Sequence, residues 1–304
     1  MNRDKIKIVE TDNYTAKIVR ETGLDKFYTI PSVVDTCIST IGTIYKWTDW
    51  SLIIEPSAGN GSFLLKIPTE NKIGIDISPE HADIIKMDFF EYSPSTSPLN
   101  SPLISPSNIL VIGNPPFGKV SSLAIKFFNH AAQFATVIAF IIPRTFRRIS
   151  VQNKLDKWFH LRLDEETPIK PCSFSPSMNV KCCFQIWEKR EVEREMVILP
   201  TTHSDWEFLP FGPTDEFGQP TPPPQGADFA IRAYGGKCGE IKKDDLIKLR
   251  PKSWHWIKCN IDIDLLLNRI QQLDYSNSLN TARQNSLGKG ELVKLYTDFC
   301  DSVR

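Results

Sequence analysis

The sequence predicts an α/β fold whose central sheet is mostly parallel and carries helices on both faces. Two observations favour this class. Short apolar segments alternate with segments of helical periodicity through the first two thirds of the chain, as βαβ units require. Several of the apolar segments also end in an acidic residue or in glycine, which is typical of the strand ends that face a ligand in such sheets.

The elements are predicted in the following order. Residues 31–45 form a helix, because apolar side chains recur at i, i+3 and i+4 spacing. Further helices are predicted at 123–134 and 151–160, and beyond the sheet at 261–273 and 288–303. Strands are predicted at 51–54, 72–77, 84–87, 108–113, 136–142 and 180–187, with short strands of a smaller unit at 227–232 and 253–258.

Composition excludes several classes of protein. The 304 residues carry 36 basic and 36 acidic side chains, and this zero net charge argues against coating of nucleic acid by the whole surface. No segment approaches the roughly 20 apolar residues of a membrane span, and the first residues lack a signal peptide's apolar core. The seven scattered cysteines form no CxxC pair, so we expect free thiols and no metal site. The chain is expected to be soluble and intracellular, in cytoplasm or nucleus.

A glycine-rich turn follows the first sheet strand. Residues 55–61 read Glu-Pro-Ser-Ala-Gly-Asn-Gly, in which Gly59 and Gly61 let backbone amides approach a ligand with no Cβ in the way. Ligands of open α/β sheets bind beyond the carboxyl ends of the strands, where this turn is predicted to lie. It is therefore interpreted as a nucleotide-binding loop, although a tight structural turn uses the same residue types.

Two carboxylates follow the next two strands. Asp76 lies 21 residues after Glu55, where a carboxylate accepts hydrogen bonds from ribose hydroxyls. Asp88 follows the third strand and can accept from an adenine amino group, with Ile77 or Phe89 covering the ring. Helix capping is the alternative role for Asp88. The GxGxxG dinucleotide fingerprint is absent.

The fourth sheet strand leads into residues 113–118, Gly-Asn-Pro-Pro-Phe-Gly. An exocyclic base amine is a weak nucleophile because its lone pair is delocalised into the ring. Two acceptors, the Asn114 side-chain oxygen and the Pro115 carbonyl, can bind both N–H groups and favour a pyramidal nitrogen as a methyl group arrives. Pro116 helps to fix the backbone, and Phe117 offers a flat face to an extruded base. A proline turn with a buried phenylalanine is the structural alternative.

Residues 55–63 (Glu-Pro-Ser-Ala-Gly-Asn-Gly-Ser-Phe) and 114–117 (Asn-Pro-Pro-Phe) together resemble the S-adenosylmethionine-dependent amino-methyltransferases, especially the adenine-N6 DNA enzymes. Residues 27–31 (Phe-Tyr-Thr-Ile-Pro) precede both, which resembles the motif order of the gamma group. The resemblance covers roughly residues 25–190. It implies a Rossmann-like class I methyltransferase fold with a seven-stranded sheet, S-adenosylmethionine as cofactor, and methyl transfer to the N6 amino group of a flipped-out adenine in DNA.

The resemblance also implies roles for individual residues. The catalytic residues would be Asn114, Pro115, Pro116 and Phe117. Cofactor contacts would come from Thr29, Pro31, Glu55, Pro56, Ala58, Gly59, Gly61, Asp76, Ile77, Asp88 and Phe89. Two features depart from the family pattern: Ile30 separates Thr29 from Pro31, and the Ser/Pro-rich loop at 93–107, expected to be mobile, is longer than the fold requires.

The Asn-Pro-Pro-Phe loop at 114–117 does not by itself decide the substrate. Asn-Pro-Pro-Phe also occurs in RNA enzymes that act on adenine N6 or guanine N2, and Asn-Pro-Pro-Tyr in enzymes that methylate a glutamine side-chain amide. The glycine turn resembles the DNA adenine group more than the glutamine group. A second class also remains, a catalytically silent nucleic-acid-binding subunit of a methyltransferase complex, against which the intact Asn114–Phe117 loop argues.

Four regions are predicted along the chain: an N-terminal arm (1–24), the methyltransferase domain (25–190), an acidic Pro/Gly-rich linker (191–226) and a small substrate-recognition unit (227–304). The last unit is locally basic with interleaved aromatic residues, a composition suited to phosphate contact and base stacking. A solvated β unit with core tryptophans is its structural alternative. A protein partner for target recognition is possible. Expected substrate contacts are Phe117, Arg144, Phe146, Arg147, Lys237, Trp254 and Trp256.

Overall fold

The computed structural model describes residues 26–94, 107–168, 172–212 and 222–303. The predicted N-terminal arm (1–24), most of the predicted Ser/Pro-rich loop (93–107) and part of the predicted linker (191–226) lie outside the described residues. The chain divides into two compact units, one of Met1–Asn114 with Thr167–Asn179 and the other of Pro115–Glu166 with Val180–Arg304. These units do not follow the domain boundaries predicted from the sequence.

The first unit is built on parallel strands. Strands β2 (Leu52–Pro56), β3 (Lys72–Asp76), β4 (Ile84–Lys86) and β5 (Ile109–Gly113) pair in the order β4-β3-β2-β5. Every residue of β2 and β5 is buried, as expected of strands covered on both faces. Helix α1 (Pro31–Ile44) begins with proline, whose fixed φ suits a first helical turn.

A two-stranded ribbon completes the first unit. Strand β1 (Tyr28–Thr29) pairs antiparallel with β8 (Phe174–Ser175), with Thr29 opposite Phe174. The backbone N–H of Ile30 extends the pairing by donating to the Ser173 carbonyl at 3.0 Å. This ribbon was not predicted, because two-residue strands carry no usable periodicity.

The second unit contributes antiparallel pairs. Helix α2 (Ser122–Ala131) precedes β6 (Val137–Pro143), and the short helix α3 (Ile149–Gln152) precedes β7 (Phe159–Glu166). Strand β9 (Cys182–Lys189) pairs antiparallel with both β6 and β7. In the order β4-β3-β2-β5-β6-β9-β7 the seven strands form one sheet, which confirms the predicted α/β class with a mostly parallel seven-stranded sheet.

A four-stranded antiparallel sheet follows in the second unit. Its strands β10 (Trp206–Leu209), β11 (Phe229–Arg232), β12 (Ile241–Lys242) and β13 (Trp254–Cys259) are ordered β10-β13-β11-β12. Helices α4 (Ile263–Gln271) and α5 (Lys289–Ser302) contribute to its core, in which Leu266, Ile270 and Tyr296 are fully buried. The side chain of Asp262 caps α4 by accepting from the Leu265 N–H.

Two predictions about this half of the chain are wrong. The helix predicted at 151–160 is only the short α3, and its last residues already belong to β7. Val151, Leu155 and Phe159 are all buried, so their four-residue spacing suggested a helix that the backbone does not form. The predicted linker contains β10, whose Trp206 is 1% exposed and packs in the core of the small sheet.

Candidate functional site

The glycine turn after β2 is held by a dense set of hydrogen bonds. Ser57, Gly59 and Gly61 adopt positive φ, at 56°, 53° and 82°. The Ala58 N–H donates to the Ile75 carbonyl at 2.9 Å, and the Gly61 N–H donates to the Ala58 carbonyl at 2.7 Å. The turn is therefore a fixed loop at the carboxyl edge of β2 and β3, and its role as a nucleotide-binding loop stays a prediction.

The Glu55 side chain holds this turn through two backbone N–H groups. Its Oε2 accepts from the Leu64 N–H at 2.6 Å and its Oε1 accepts from the Phe63 N–H at 3.3 Å. The side chain is 3% exposed, and burial raises the pKa of its carboxyl to about 8 against the pull of these two N–H donors. Glu55 therefore positions the turn through backbone amides, and its role toward the cofactor's amino-acid portion stays a prediction.

Asp76 links the turn to the end of β3. Its Oδ2 accepts from the Gly59 N–H at 2.8 Å and its Oδ1 accepts from the Ser78 N–H at 2.7 Å. Each oxygen of an ionised carboxylate keeps further lone-pair directions, so both can still accept from a diol. Lys26 fixes the following segment by donating to the Ser78 carbonyl and to Glu80. The contact of Asp76 with a ribose stays a prediction.

The residues predicted to contact the adenine ring of the cofactor differ in their exposure. Ile77 is 51% exposed and presents an apolar face beside Asp76, and Asp88 is exposed. Phe89, in contrast, is 2% exposed, so its predicted place over the ring is wrong: its side chain is needed in the core. The neighbouring ring of Phe90 is 39% exposed. Asp88 also caps a short helix by accepting from the Phe90 N–H, which was the alternative role considered for it.

The N-terminal motif packs directly on the glycine turn. A Cβ added to Gly59 would lie 2.8 Å from Cε1 of Tyr28, so this contact requires glycine. Thr29 is 4% exposed, and its Oγ1 is buried without a hydrogen-bond partner among the described residues. Pro31 opens α1, and its carbonyl accepts from Lys66. The intervening Ile30 is the N-cap residue of α1 and makes no side-chain capping bond.

Asn114 has a fixed amide orientation. Its Nδ2 donates to the Phe27 carbonyl at 3.1 Å, and its Oδ1 is buried without a hydrogen-bond partner in the described structure. Because a backbone carbonyl can only accept, the amide nitrogen must face Phe27 and the oxygen must face away. A buried acceptor without a donor costs about 1–3 kcal/mol. The site therefore contains a buried acceptor that no donor of the described residues meets.

The segment after Asn114 is tightly folded in the second unit. Pro115 is buried, Pro116 and Phe117 are half-buried, and the Phe117 carbonyl accepts from the Leu123 N–H at 3.2 Å. Gly118 and Val120 have positive φ, at 67° and 53°. A β-branched residue rarely adopts this conformation, so the loop stores strain.

The arginines after β6 are engaged in ion pairs. Arg147 binds Asp164 through Nε and Nη2 and reaches Glu166 through Nη1, and these carboxylates raise its pKa. Arg144 binds Glu166 at 2.8 Å, and its buried Nε has no hydrogen-bond partner within the described residues. Phe146 is fully buried. The predicted base contact of Phe146 is therefore wrong, and the arginine contacts would require ion pairs to open.

The tryptophans of the small unit are core residues, so their predicted stacking role is wrong. Trp254 is 4% and Trp256 1% exposed, and they form a cluster with Ala230. The indole N–H of Trp256 donates to the Pro251 carbonyl, which meets its polar requirement. Lys237 is exposed, as a phosphate contact requires. The core alternative considered for the tryptophans is the one that the structure supports.

Two residues of this site were not assigned from the sequence. They are Tyr28, which packs on Gly59, and Phe27, whose carbonyl orients Asn114. A backbone carbonyl has no sequence signal, so only the tertiary structure identifies the second. Within the described ranges, no three His, Cys, Asp or Glu side chains cluster as a metal would need, and no helix is long and apolar enough to cross a membrane.

Comparison with known proteins gives distant likenesses in structure alone. No family model and no curated protein matches the sequence. A Pyrococcus horikoshii protein described as an RNA methyltransferase matches with 13% identity and a TM-score of 0.41, over 55% of this chain and 88% of its own. A magnesium protoporphyrin IX methyltransferase from Synechocystis PCC 6803 matches with 10% identity and a TM-score of 0.39, over 53% of this chain and 79% of its own. The 23S rRNA methyltransferase ErmE matches with 14% identity and a TM-score of 0.38, over 55% of this chain and 71% of its own.

Proposed function

We propose that this chain transfers a methyl group from S-adenosylmethionine to the exocyclic N6 amino group of adenine in DNA. One observation carries the proposal: the buried Asn114 Oδ1 has no donor in the described structure, because Nδ2 is held by the Phe27 carbonyl. In the sequence this acceptor stands directly before Pro115, Pro116 and Phe117. A planar amine with two N–H groups matches such an acceptor.

The residues of the first unit suit the cofactor. Asp76 holds the Gly59 amide and retains acceptor capacity for ribose hydroxyls, while the exposed Ile77 offers an apolar surface to an adenine ring. Thr29 supplies a buried hydroxyl without a partner among the described residues. S-adenosylmethionine, when bound, supplies an electrophilic methyl group on a sulfonium centre.

The chain's own contribution to the reaction is orientation. Asn114 Oδ1 accepts one N6 proton in a hydrogen bond, and the Pro115 carbonyl is expected to accept the other. Both bonds draw the nitrogen lone pair out of conjugation with the ring as the new C–N bond forms. Phe117 is the residue expected to stack on the extruded base. After methylation the amine is cationic and strongly acidic, so it releases one N–H proton to solvent water and no strong base is required.

RNA is the alternative substrate, with adenine N6 or guanine N2 as the acceptor, because the same loop serves those enzymes. The glycine turn Glu-Pro-Ser-Ala-Gly-Asn-Gly is the feature that favours DNA. A catalytically silent subunit is the other alternative. It would retain the fold and bind nucleic acid, but it would transfer no methyl group.

Transfer of a tritiated methyl group onto duplex DNA, single-stranded DNA, RNA and protein tests the proposal. We expect label in DNA, and nucleoside digestion should yield N6-methyladenine. Asn114→Ala should lower kcat by roughly 10²–10³-fold, the usual effect of removing one preorganised hydrogen-bonding group. The control Asn268→Ala alters an exposed residue of α4 and should keep full activity. Label in RNA alone would favour the alternative, and wild type without any transfer would favour the silent subunit.

A further inference from the structure

Two segments of the second unit are joined along their backbones. The Gly235 N–H donates to the Asn285 carbonyl at 2.9 Å, and the Leu287 N–H donates to the Ala233 carbonyl at 2.8 Å. Tyr234 and Ser286 form an antiparallel bridge between these two bonds. Residues 233–237 and 282–287 therefore form one continuous surface, although about fifty residues separate them in the sequence.

The carboxyl end of β6 anchors this surface. Lys181 donates its backbone N–H to the Ala282 carbonyl at 2.8 Å and its Nζ to Asn285 Oδ1 at 2.9 Å, while its own carbonyl accepts from the Arg144 N–H. Arg148 donates to Ser286 Oγ at 2.7 Å and forms an ion pair with Glu291. The surface is therefore held at the carboxyl end of β6, and ligands of such sheets bind beyond the carboxyl ends of the strands.

Four exposed side chains project from the surface. Tyr234 is 48% exposed, and Lys237, Arg283 and Gln284 are also exposed. No ion pair within the described residues involves Lys237 or Arg283, whereas the nearby carboxylates of Glu240 and Glu291 are paired with Arg232 and Arg148. The surface, which we name the recognition surface, therefore presents two cations that form no ion pair among the described residues, together with an amide and an aromatic ring, on a hydrogen-bonded backbone.

These four side-chain types are ones that bind the base edges, phosphates and base faces of DNA. Arginine binds the O6 and N7 atoms of guanine with two hydrogen bonds, and glutamine does the same at N6 and N7 of adenine. Lysine contacts phosphate without reading sequence, and an exposed tyrosine ring stacks on bases. We propose that the recognition surface, Tyr234, Lys237, Arg283 and Gln284, reads the bases that flank the target adenine. This inference rests on the proposed function for the identity of the nucleic acid.

Selection of binding sites from random-sequence duplex DNA tests the inference, with the full-length chain and no cofactor. Wild type should enrich a motif. Arg283→Ala should weaken binding to that motif by roughly 5- to 150-fold and abolish the preference at one position. Arg283→Lys keeps the charge without the paired hydrogen bonds, so it should keep affinity for random DNA and still lose that preference. Arg250→Ala, an exposed arginine on another loop, is the matched control and should behave as wild type.

Lys237→Ala gives an independent readout. Loss of a phosphate contact should weaken all sequences equally and reduce the slope of log affinity against log salt by about one. The inference is overturned if wild type enriches no motif, or if Arg283→Ala selects the wild-type motif with wild-type affinity. Because binding is measured without methyl transfer, an enriched motif that depends on Arg283 supports the surface even if the chain methylates nothing. If the chain methylates DNA and Arg283→Ala selects the same motif as wild type, the inference about the recognition surface is wrong and the proposed function stands.

Discussion

Glu55 should make the stability of the protein fall as pH rises. Burial raises the pKa of its carboxyl from 4.5 to about 8, so the folded chain holds a proton that the unfolded chain has already released. Stability from this group is complete below pH 4.5 and is lost progressively as pH rises toward 8. Each pH unit in that window costs about 1.4 kcal/mol, and the whole shift corresponds to about 5 kcal/mol.

Glu55→Gln removes this titration and keeps the shape of the side chain. The amide oxygen can still accept from the Leu64 N–H, the shorter bond at 2.6 Å, whereas the bond from the Phe63 N–H at 3.3 Å is lost at all pH values. Between pH 6 and pH 8, wild type should lose about 2 kcal/mol relative to the variant. At roughly 2–4 °C per kcal/mol, the difference in melting temperature should change by about 4–8 °C.

Thermal unfolding at pH 6, 7 and 8 measures this difference. Glu70→Gln is the matched control, because Glu70 is exposed and its substitution should shift the melting temperature equally at every pH. If the difference between wild type and Glu55→Gln stayed constant to within about 1 °C, the buried carboxyl would be ionised throughout. The two backbone N–H donors would then outweigh burial, and the pKa of Glu55 would not be raised.

Three further predictions concern other sites. Asp76→Ala removes the acceptor of the Gly59 and Ser78 amides, so calorimetry should show weaker S-adenosylmethionine binding and the chain should lose about 1–3 kcal/mol of stability; unchanged affinity would refute the ribose role. Trp256→Ala should cost about 3–5 kcal/mol in denaturant unfolding because the residue is core, and an unchanged midpoint would contradict this. Val120→Gly should raise the free energy of unfolding by about 1 kcal/mol, because glycine adopts the φ of 53° without strain, and an unchanged midpoint in denaturant unfolding would contradict this.

The sequence determined the strands that alternate with helices. The apolar segments at 108–113 and 136–142 became β5 and β6 within one or two residues, because continuous burial leaves a strong signal. Strand β7 left no such signal. It is the edge strand at one end of the sheet, and polar residues such as His160, Arg162 and Asp164 lie along it. Its sequence therefore lacks the apolar run of a central strand.

The sequence also determined which motifs lie at strand ends, since a glycine turn and a proline loop require particular residue types wherever they fold. Asp76 and Asn114 could be chosen on that basis. The tertiary structure alone decided what surrounds them. Trp256 and Phe146 are aromatic in either role, and only packing shows that they are core. The orientation of Asn114 depends on a backbone carbonyl 87 positions away, a contact that no residue type encodes.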